Sequence, residues 1–178
     1  PGLWRVAFPS SPDEREEEVL DAARVERRMQ GFQPKAGSYE IAYKSIYRVH
    51  QRVAKDWRRG RVVLAGDAAH LNNPLGGFGL NSGIHDAINL AEKLGRVWRG
   101  EADETLLDLY ARQRRHATVE QVQAMSIRNK RLLEERDPAV QRRNMEEMVA
   151  TAADPARAKQ HLLNTSMIAG LRRATAIQ

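Results

Sequence analysis

The residues best suited to chemistry lie in one stretch, residues 61–94, where a carboxylate and a cluster of glycines follow a short apolar run. Asp67 follows that run directly after Gly66. If the run is a strand of an open α/β sheet, Asp67 lies at its carboxyl end, where such sheets bind their ligands. Gly76, Gly77 and Gly79 have no side chains, so the backbone there can approach a flat ligand and expose its N–H groups. The combination predicts a loop that cradles a planar cofactor.

A strand and a helix are predicted on either side of this loop. Residues 61–65 form a β-branched apolar run typical of a covered strand, and Gly66 gives the chain a sharp exit. A helix should begin near residues 79–81, with its free N–H groups and positive dipole end pointing into the loop. Its packed side is predicted from helical spacing to be an apolar stripe of Leu80, Ile84, Ala87, Ile88, Ala91 and Leu94. The other faces would then carry Asn89, Glu92, Lys93 and Arg96.

Residues 66–81 resemble the second flavin-binding motif of the single-component flavoprotein aromatic hydroxylases, the p-hydroxybenzoate hydroxylase type. In that motif a strand ending in Gly-Asp precedes Ala-Ala-His, a Pro-x-Gly-Gly-x-Gly-x-Asn loop and a helix. The resemblance implies that Asp67 accepts hydrogen bonds from the ribityl hydroxyls of FAD. It also implies that the loop at Pro74 and Leu75 faces both flavin and substrate, and that backbone N–H groups near the helix start meet the pyrimidine edge of the flavin. The cofactor-binding set is therefore Gly66, Asp67, Pro74, Gly76, Gly77, Gly79, Leu80 and Asn81, with no residue assigned as catalytic.

The resemblance implies a fold as well: the C-terminal part of a two-domain FAD monooxygenase, an α+β or α/β fragment. Residues 1–60 would belong to the substrate-binding domain, residues 61–100 to the flavin motif and residues 101–178 to a C-terminal helical region. The expected content is strands of the substrate-domain sheet, one strand of the FAD domain and several long helices. The Gly-x-Gly-x-x-Gly unit that binds the ADP half of FAD in these enzymes does not occur in the sequence. A missing N-terminal portion of the same enzyme is therefore an expected partner.

Several further segments have clear patterns. Residues 3–8 form an apolar segment that predicts a strand, and residues 39–49 are rich in β-branched and aromatic side chains and predict one strand or a bent pair of strands. Residues 11–14 carry the cap, proline and glutamate of a helix start, so a helix should run to about Met29 and stop at Gly31.

The C-terminal part of the sequence is predicted to be helical throughout. Residues 104–135 form one long helical pattern that contains neither Pro nor Gly. Its apolar positions include Leu106, Leu107, Tyr110, Val119, Val122 and Met125. Pro138 and Pro155 interrupt the pattern and predict two or three shorter helices after it.

Histidines and tyrosines supply the remaining candidates for chemistry. The five histidines lack the His-x-x-x-His spacing and the arrangement of carboxylates expected of a metal site, so none is predicted from His50, His70, His85, His116 and His161. His70 belongs to the motif, where it either orients the loop through a hydrogen bond or transfers a proton. Three tyrosines either pack in the sheet or point hydroxyls into a substrate pocket: Tyr39, Tyr43 and Tyr47.

Composition restricts the function further. The net charge of +6 is spread along the chain without interleaved aromatic residues, which favours a solvated surface over a nucleic-acid footprint. The chain has no cysteine and no apolar run of the roughly 20 residues that a membrane span needs. Disulfides and thiolate metal sites are therefore excluded, and a cytoplasmic protein without nucleic-acid or membrane partners is expected.

The resemblance implies the flavin-ring half of a monooxygenase that uses FAD and NADPH or NADH. Such an enzyme hydroxylates a small aromatic substrate through a flavin hydroperoxide. An FAD-dependent oxidoreductase of the same fold without hydroxylation is one alternative. A non-enzymatic basic helical module that binds nucleic acid or a partner protein is an alternative of a different class.

Overall fold

A computed structural model of the chain describes residues 2–11 and 13–178, which divide between Arg48 and Val49 into two units. Pro12, the proline of the predicted helix start, lies outside the described residues.

The first unit has two short helices, α1 (Glu16–Val19) and α2 (Ala22–Phe32). The single helix predicted here is wrong, because Asp21 starts a new helix by accepting a hydrogen bond from the Arg24 backbone N–H. Helix α2 continues through Gly31, which was predicted to end it.

The strands predicted in this unit are also wrong. Residues 3–8 and 39–49 have irregular backbone, and Trp4 is 94% exposed. A strand needs a neighbour that takes up its N–H and C=O groups, and the described residues of this unit form no strand that could do so. Sheet packing of Tyr43 and Tyr47 is wrong for the same reason, since both side chains are exposed.

The second unit contains two antiparallel strand pairs. Strand β1 (Arg52–Val53) pairs with β4 (His70–Leu71), and β2 (Arg58–Arg59) pairs with β3 (Val62–Val63) across a two-residue loop. The strand predicted over residues 61–65 therefore shrinks to β3. All strand pairing among the described residues is antiparallel, so the small sheets and many helices agree with the α+β form of the predicted fragment.

Helices dominate the rest of this unit. After a 3₁₀ turn at Gly66–Ala68, the chain forms α3 (Phe78–Trp98), α4 (Thr105–Ala117), a π-helical segment (Thr118–Gln123), α5 (Ala124–Glu134), α6 (Pro138–Ala153), α7 (Pro155–Thr165) and α8 (Ile168–Thr175). The long helical pattern over residues 104–135 is confirmed, as are the breaks at Pro138 and Pro155. Within residues 2–11 and 13–178, no helix has the length and apolar character to cross a membrane.

Two apolar clusters hold this unit together. Trp57, Ala69 and Tyr110 form one, which joins the strand pairs to α4. The second consists of Phe78, Val122 and Met167 and joins the start of α3 to the C-terminal helices. Each fully buried Phe or Met side chain contributes about 1.5–3 kcal/mol. The two clusters therefore fix the segment between Ala69 and Phe78 at both of its ends.

Helix α3 is confirmed in extent, but its predicted orientation is wrong. Leu80 and Ile88 on the apolar stripe are 78% and 61% exposed. The buried side chains of the helix are Phe78, Ser82, Asp86 and Lys93. Helix α3 packs on α4 mainly through polar side chains such as Asp86 and Asn89, so its apolar stripe remains largely exposed among the described residues.

Candidate functional site

Asp67 lies in the 3₁₀ turn Gly66–Ala68, four residues beyond β3. The side chain of Asp67 is exposed, and no hydrogen bond to it is found among the described residues. The turn is held in place at its end, because the Ala69 N–H donates to the Gly66 carbonyl at 2.9 Å and Ala69 is buried. The carboxylate is thus held in place by its backbone while both oxygens remain free to accept hydrogen bonds from a ligand.

The next part of the site is a tight turn at residues 74–77, immediately before α3. Gly77 N–H donates to the Pro74 carbonyl at 3.1 Å. Gly76 has φ +115° and Gly77 has φ +67°, conformations that side chains rarely tolerate. A Cβ on Gly76 would also lie 2.3 Å from the ring of Phe78. Glycine is therefore required by the turn itself, independently of any ligand.

Helix α3 begins with open space and unused donors. Its N-cap residue, Gly77, supplies no side-chain acceptor, so the first-turn N–H groups have none from the cap. A Cβ added at Gly77 or Gly79 would meet no described heavy atom within 4 Å. The Asn81 amide turns back and donates to the Gly77 carbonyl at 2.9 Å. A planar, acceptor-rich ligand could approach this backbone, and the helix dipole would favour negative charge on it.

A buried ionic cluster lies beneath the Asp67 turn. Asp86 Oδ2 accepts from the Gly66 N–H at 3.0 Å and lies 2.8 Å from His70 Nε2. Asp86 Oδ1 accepts from Arg114 Nε at 2.7 Å, and both Asp86 and Arg114 are fully buried. The carboxylate therefore ties the residue before Asp67 to α3 and α4 at the same time.

Tyr110 completes the support of this turn from α4. Its hydroxyl donates to the Leu64 carbonyl at 2.7 Å, just before the turn. Burial raises the pKa of the Tyr110 phenol, and the nearby Asp86 carboxylate raises that pKa further. The hydroxyl therefore stays protonated and remains a donor across the physiological range.

Amide side chains hold the Pro74 end of the loop. Gln123 Nε2 donates to the Leu71 carbonyl at 3.1 Å, and Asn129 Nδ2 donates to the Leu75 carbonyl at 3.2 Å. Leu75 N–H in turn donates to Asn73 Oδ1 at 3.1 Å. The loop is consequently anchored by side chains of the π-helical segment and α5, more than 50 residues away in sequence.

The structure brings the residues of the predicted cofactor set together on one loop and one helix start. Sequence reasoning missed the residues beneath them: Asp86, Arg114, Gln123 and Asn129. Asp86 could have been noticed in the sequence, because it is an acidic residue flanked by His85 and Ala87 in the middle of a predicted helix. Gln123 and Asn129 could not, because their partners are distant in sequence.

Comparison with known proteins places these features in a family. The FAD binding domain family matches residues 2–126. Para-nitrophenol 4-monooxygenase of Pseudomonas sp. strain WBC-3 is 38% identical over 173 residues, which cover 96% of this chain and 43% of that protein.

Solved structures show the same similarity. A crystal structure of p-nitrophenol 4-monooxygenase from Pseudomonas putida DLL-E4 matches with a TM-score of 0.76 and 37% identity, covering 89% of this chain and 40% of that one. The Diels-Alderase of pyrroindomycin biosynthesis matches with a TM-score of 0.65 and 29% identity, covering 91% of this chain and 33% of that one. The chain thus spans less than half the length of each of these relatives.

Proposed function

Since this chain belongs to the FAD binding domain family, we propose that it supplies the flavin-ring end of the FAD site in an aromatic monooxygenase. Residues 61–100 would form this part of the site. Residues 1–60 would contribute to the substrate-binding domain, and residues 101–178 would form a C-terminal helical region. Two of the relatives, the nitrophenol monooxygenases, favour a small phenol-like substrate.

The observation that carries this proposal is the free carboxylate of Asp67 on a turn that packs against α3, a helix whose start is uncapped. The ribityl chain of FAD presents hydroxyl donors, and Asp67 offers exposed acceptors that no described residue uses. The pyrimidine edge of the flavin presents carbonyl acceptors and gains negative charge on reduction. The first turn of α3 at Gly79, Leu80 and Asn81 offers backbone donors and a positive dipole end. The residues present therefore fit FAD in charge and in hydrogen-bonding character.

The loop at Pro74 and Leu75 is proposed to lie between flavin and substrate. Pro74 is exposed and Leu75 is half-buried, so together they present an apolar edge suited to an aromatic ring. Bound FAD would supply the redox chemistry, in which NADPH or NADH provides two electrons, one atom of O2 is added to the substrate and the other leaves as water. The residues of this chain would hold the reactants in position and exclude water.

The remaining portion of the same enzyme is proposed to cover the apolar stripe of α3. Five large apolar side chains of that helix are exposed in this chain: Leu80, Ile84, Ile88, Leu94 and Trp98. An exposed row of this size normally marks an interface. The relatives are more than twice as long as this chain, and the stripe begins at the proposed flavin site. A segment packed there would complete the FAD site.

Replacing Asp67 by alanine in the full-length enzyme tests the flavin role. Loss of a carboxylate that accepts from ribityl hydroxyls should cost about 1.5–3 kcal/mol, or at least roughly tenfold in FAD affinity. Fluorescence titration of the apoenzyme measures that affinity. The control is Asp56→Ala, which removes another exposed aspartate of the same unit. Unchanged FAD affinity in Asp67→Ala would refute the assignment.

A second candidate is an FAD-dependent enzyme of this fold that does not hydroxylate. The similarity to the Diels-Alderase favours it, since that protein is named for a cycloaddition. Oxygen consumption by the full-length enzyme with a phenol and NADPH or NADH separates the two functions. A hydroxylase forms one hydroxylated product per O2 consumed, and a non-hydroxylating enzyme forms none.

A further inference from the structure

A line of polar side chains connects the π-helical segment with the loop that follows Asp67. Gln123 Nε2 lies 2.6 Å from Asn72 Oδ1 and 3.1 Å from the Leu71 carbonyl. Asn72 Nδ2 lies 3.2 Å from His70 Nδ1. The line continues through the ring of His70, which is 2% exposed, to the carboxylate beneath the Asp67 turn.

The direction of these hydrogen bonds is fixed by the backbone. The Leu71 carbonyl can only accept, so the nitrogen of the Gln123 amide must face it. The same nitrogen donates to Asn72 Oδ1, which leaves Asn72 Nδ2 as the donor toward His70. His70 Nδ1 is therefore the acceptor, without a proton of its own.

The proton of His70 must then be on Nε2, which donates to Asp86 Oδ2. Asp86 can only accept, and it also receives the Gly66 N–H and Arg114 Nε. Ser82 Oγ is 3.5 Å from the same His70 nitrogen. Both ring nitrogens are thus occupied by fixed partners, which leaves neither available to exchange a proton with a ligand.

We propose that His70 is a positioning residue, held as the Nε2–H tautomer in a hydrogen-bond chain that runs from Gln123 to Asp86 and sets the position of Asp67. These hydrogen bonds hold the backbone on both sides of Asp67, because Gln123 donates to the carbonyl of Leu71 and Asp86 accepts from the N–H of Gly66. This inference rests on the proposed flavin role of Asp67. Gln123 in the C-terminal helical region would then influence flavin binding without contacting the flavin.

A matched pair of substitutions at His70 tests the hydrogen-bond chain in the full-length holoenzyme. The amide of glutamine reaches the place of Nε2 and can still donate to Asp86, whereas the amide of asparagine reaches only the place of Nδ1. His70→Asn should weaken FAD binding roughly tenfold and lower the flavin potential, because Asp86 loses a buried donor. His70→Gln should remain within about threefold of the parent. Equal effects of the two substitutions would mean that the ring serves only to fill space, and would overturn the proposal.

Gln123 and Gln121 provide a second test, at the end of the hydrogen-bond chain that is opposite to Asp86. Gln123→Met removes the donor to Leu71 and Asn72, and should weaken FAD binding roughly fivefold. Gln121→Met is the control, since Gln121 lies in the same π-helical segment but donates to the Asn164 carbonyl. Equal FAD affinities in the two variants would overturn the proposal.

The tautomer is measured directly by ¹⁵N spectroscopy of the holoenzyme labelled at histidine, with His70 assigned by its loss in His70→Gln. The expected result is a bare Nδ1, and a proton on Nδ1 would overturn the direction of the chain. Asp67→Ala separates this proposal from the proposed function. If Asp67→Ala binds FAD normally, the flavin role fails. If Asp67→Ala binds weakly while His70→Asn and Gln123→Met bind normally, only the hydrogen-bond chain fails.

Discussion

Replacing Gly79 by valine distinguishes contact with the flavin from the folding of α3. Gly79 is the second residue of the helix and is not among the glycines with positive φ. A Cβ there would meet no described heavy atom within 4 Å, so valine fits the protein without a clash. Valine is also a better helix former than glycine by about 0.3–0.5 kcal/mol. The fold of this unit should therefore be preserved, and the helix content of the variant shows whether a loss of FAD binding is accompanied by unfolding.

The size of that loss follows from the groups involved. If the N–H groups at the start of α3 face the flavin, the branched side chain would hold the ring away from them. A lost hydrogen bond to the neutral oxidised ring costs about 0.5–1.5 kcal/mol, or roughly 2- to 13-fold in FAD affinity, and one to the anionic reduced ring costs about 1.5–3 kcal/mol. The reduced, anionic ring should lose more than the oxidised one. A difference of about 1.4 kcal/mol between the two forms would lower the two-electron potential by roughly 30 mV.

The assay is titration of the full-length apoenzyme with FAD, together with the flavin potential and helix content. Gly95→Val is the matched control at the other end of α3, where an added Cβ meets only Arg99 Nη1, at 3.2 Å, the end of a flexible side chain. The control should keep both affinity and potential. A Gly79→Val enzyme with parental affinity and potential would refute the placement of the flavin at this helix start.

Two further predictions concern the support of the site. Asp86→Asn should destabilise the protein by about 3–5 kcal/mol, because Arg114 then becomes an unpaired buried charge; urea unfolding measures the change, and a loss below 1 kcal/mol would contradict the proposed cluster. Ile88→Lys should raise the solubility of the isolated chain but lower the soluble yield of the full-length enzyme, since Ile88 is exposed only when its covering segment is absent. The same effect in both forms would argue against a covered stripe.

The extent of α3 could be predicted from the sequence, but its orientation could not. Helical spacing and the glycines at Gly76 and Gly77 set where the helix begins. Spacing also identifies an apolar face, but it does not say which part of the protein covers that face. In this chain the stripe at Leu80 and Ile88 is exposed, and the polar face with Asp86 is packed.

Strands were predicted less well than helices because strands depend on partners. Residues 3–8 and 39–49 have strand composition but meet no strand among the described residues of their unit. Helices satisfy their own backbone groups, which is why the proline breaks at Pro138 and Pro155 were placed correctly.

The candidate site also has a part that could be predicted from the sequence and a part that could not. Asp67 and the glycine turn could be predicted because they are contiguous in sequence. Gln123 could not, because it meets the loop across 52 residues and only the tertiary fold brings the two together.

Hydrogen exchange of the full-length enzyme with and without FAD tests the central claim most directly. If the flavin binds at the Asp67 turn and the start of α3, FAD should slow amide exchange in peptides covering residues 66–82. Peptides from Pro155–Thr165, on the other side of the helical region in sequence, should exchange at the same rate in both states. Unchanged exchange in residues 66–82 at saturating FAD, with protection confined to other segments, would contradict the account.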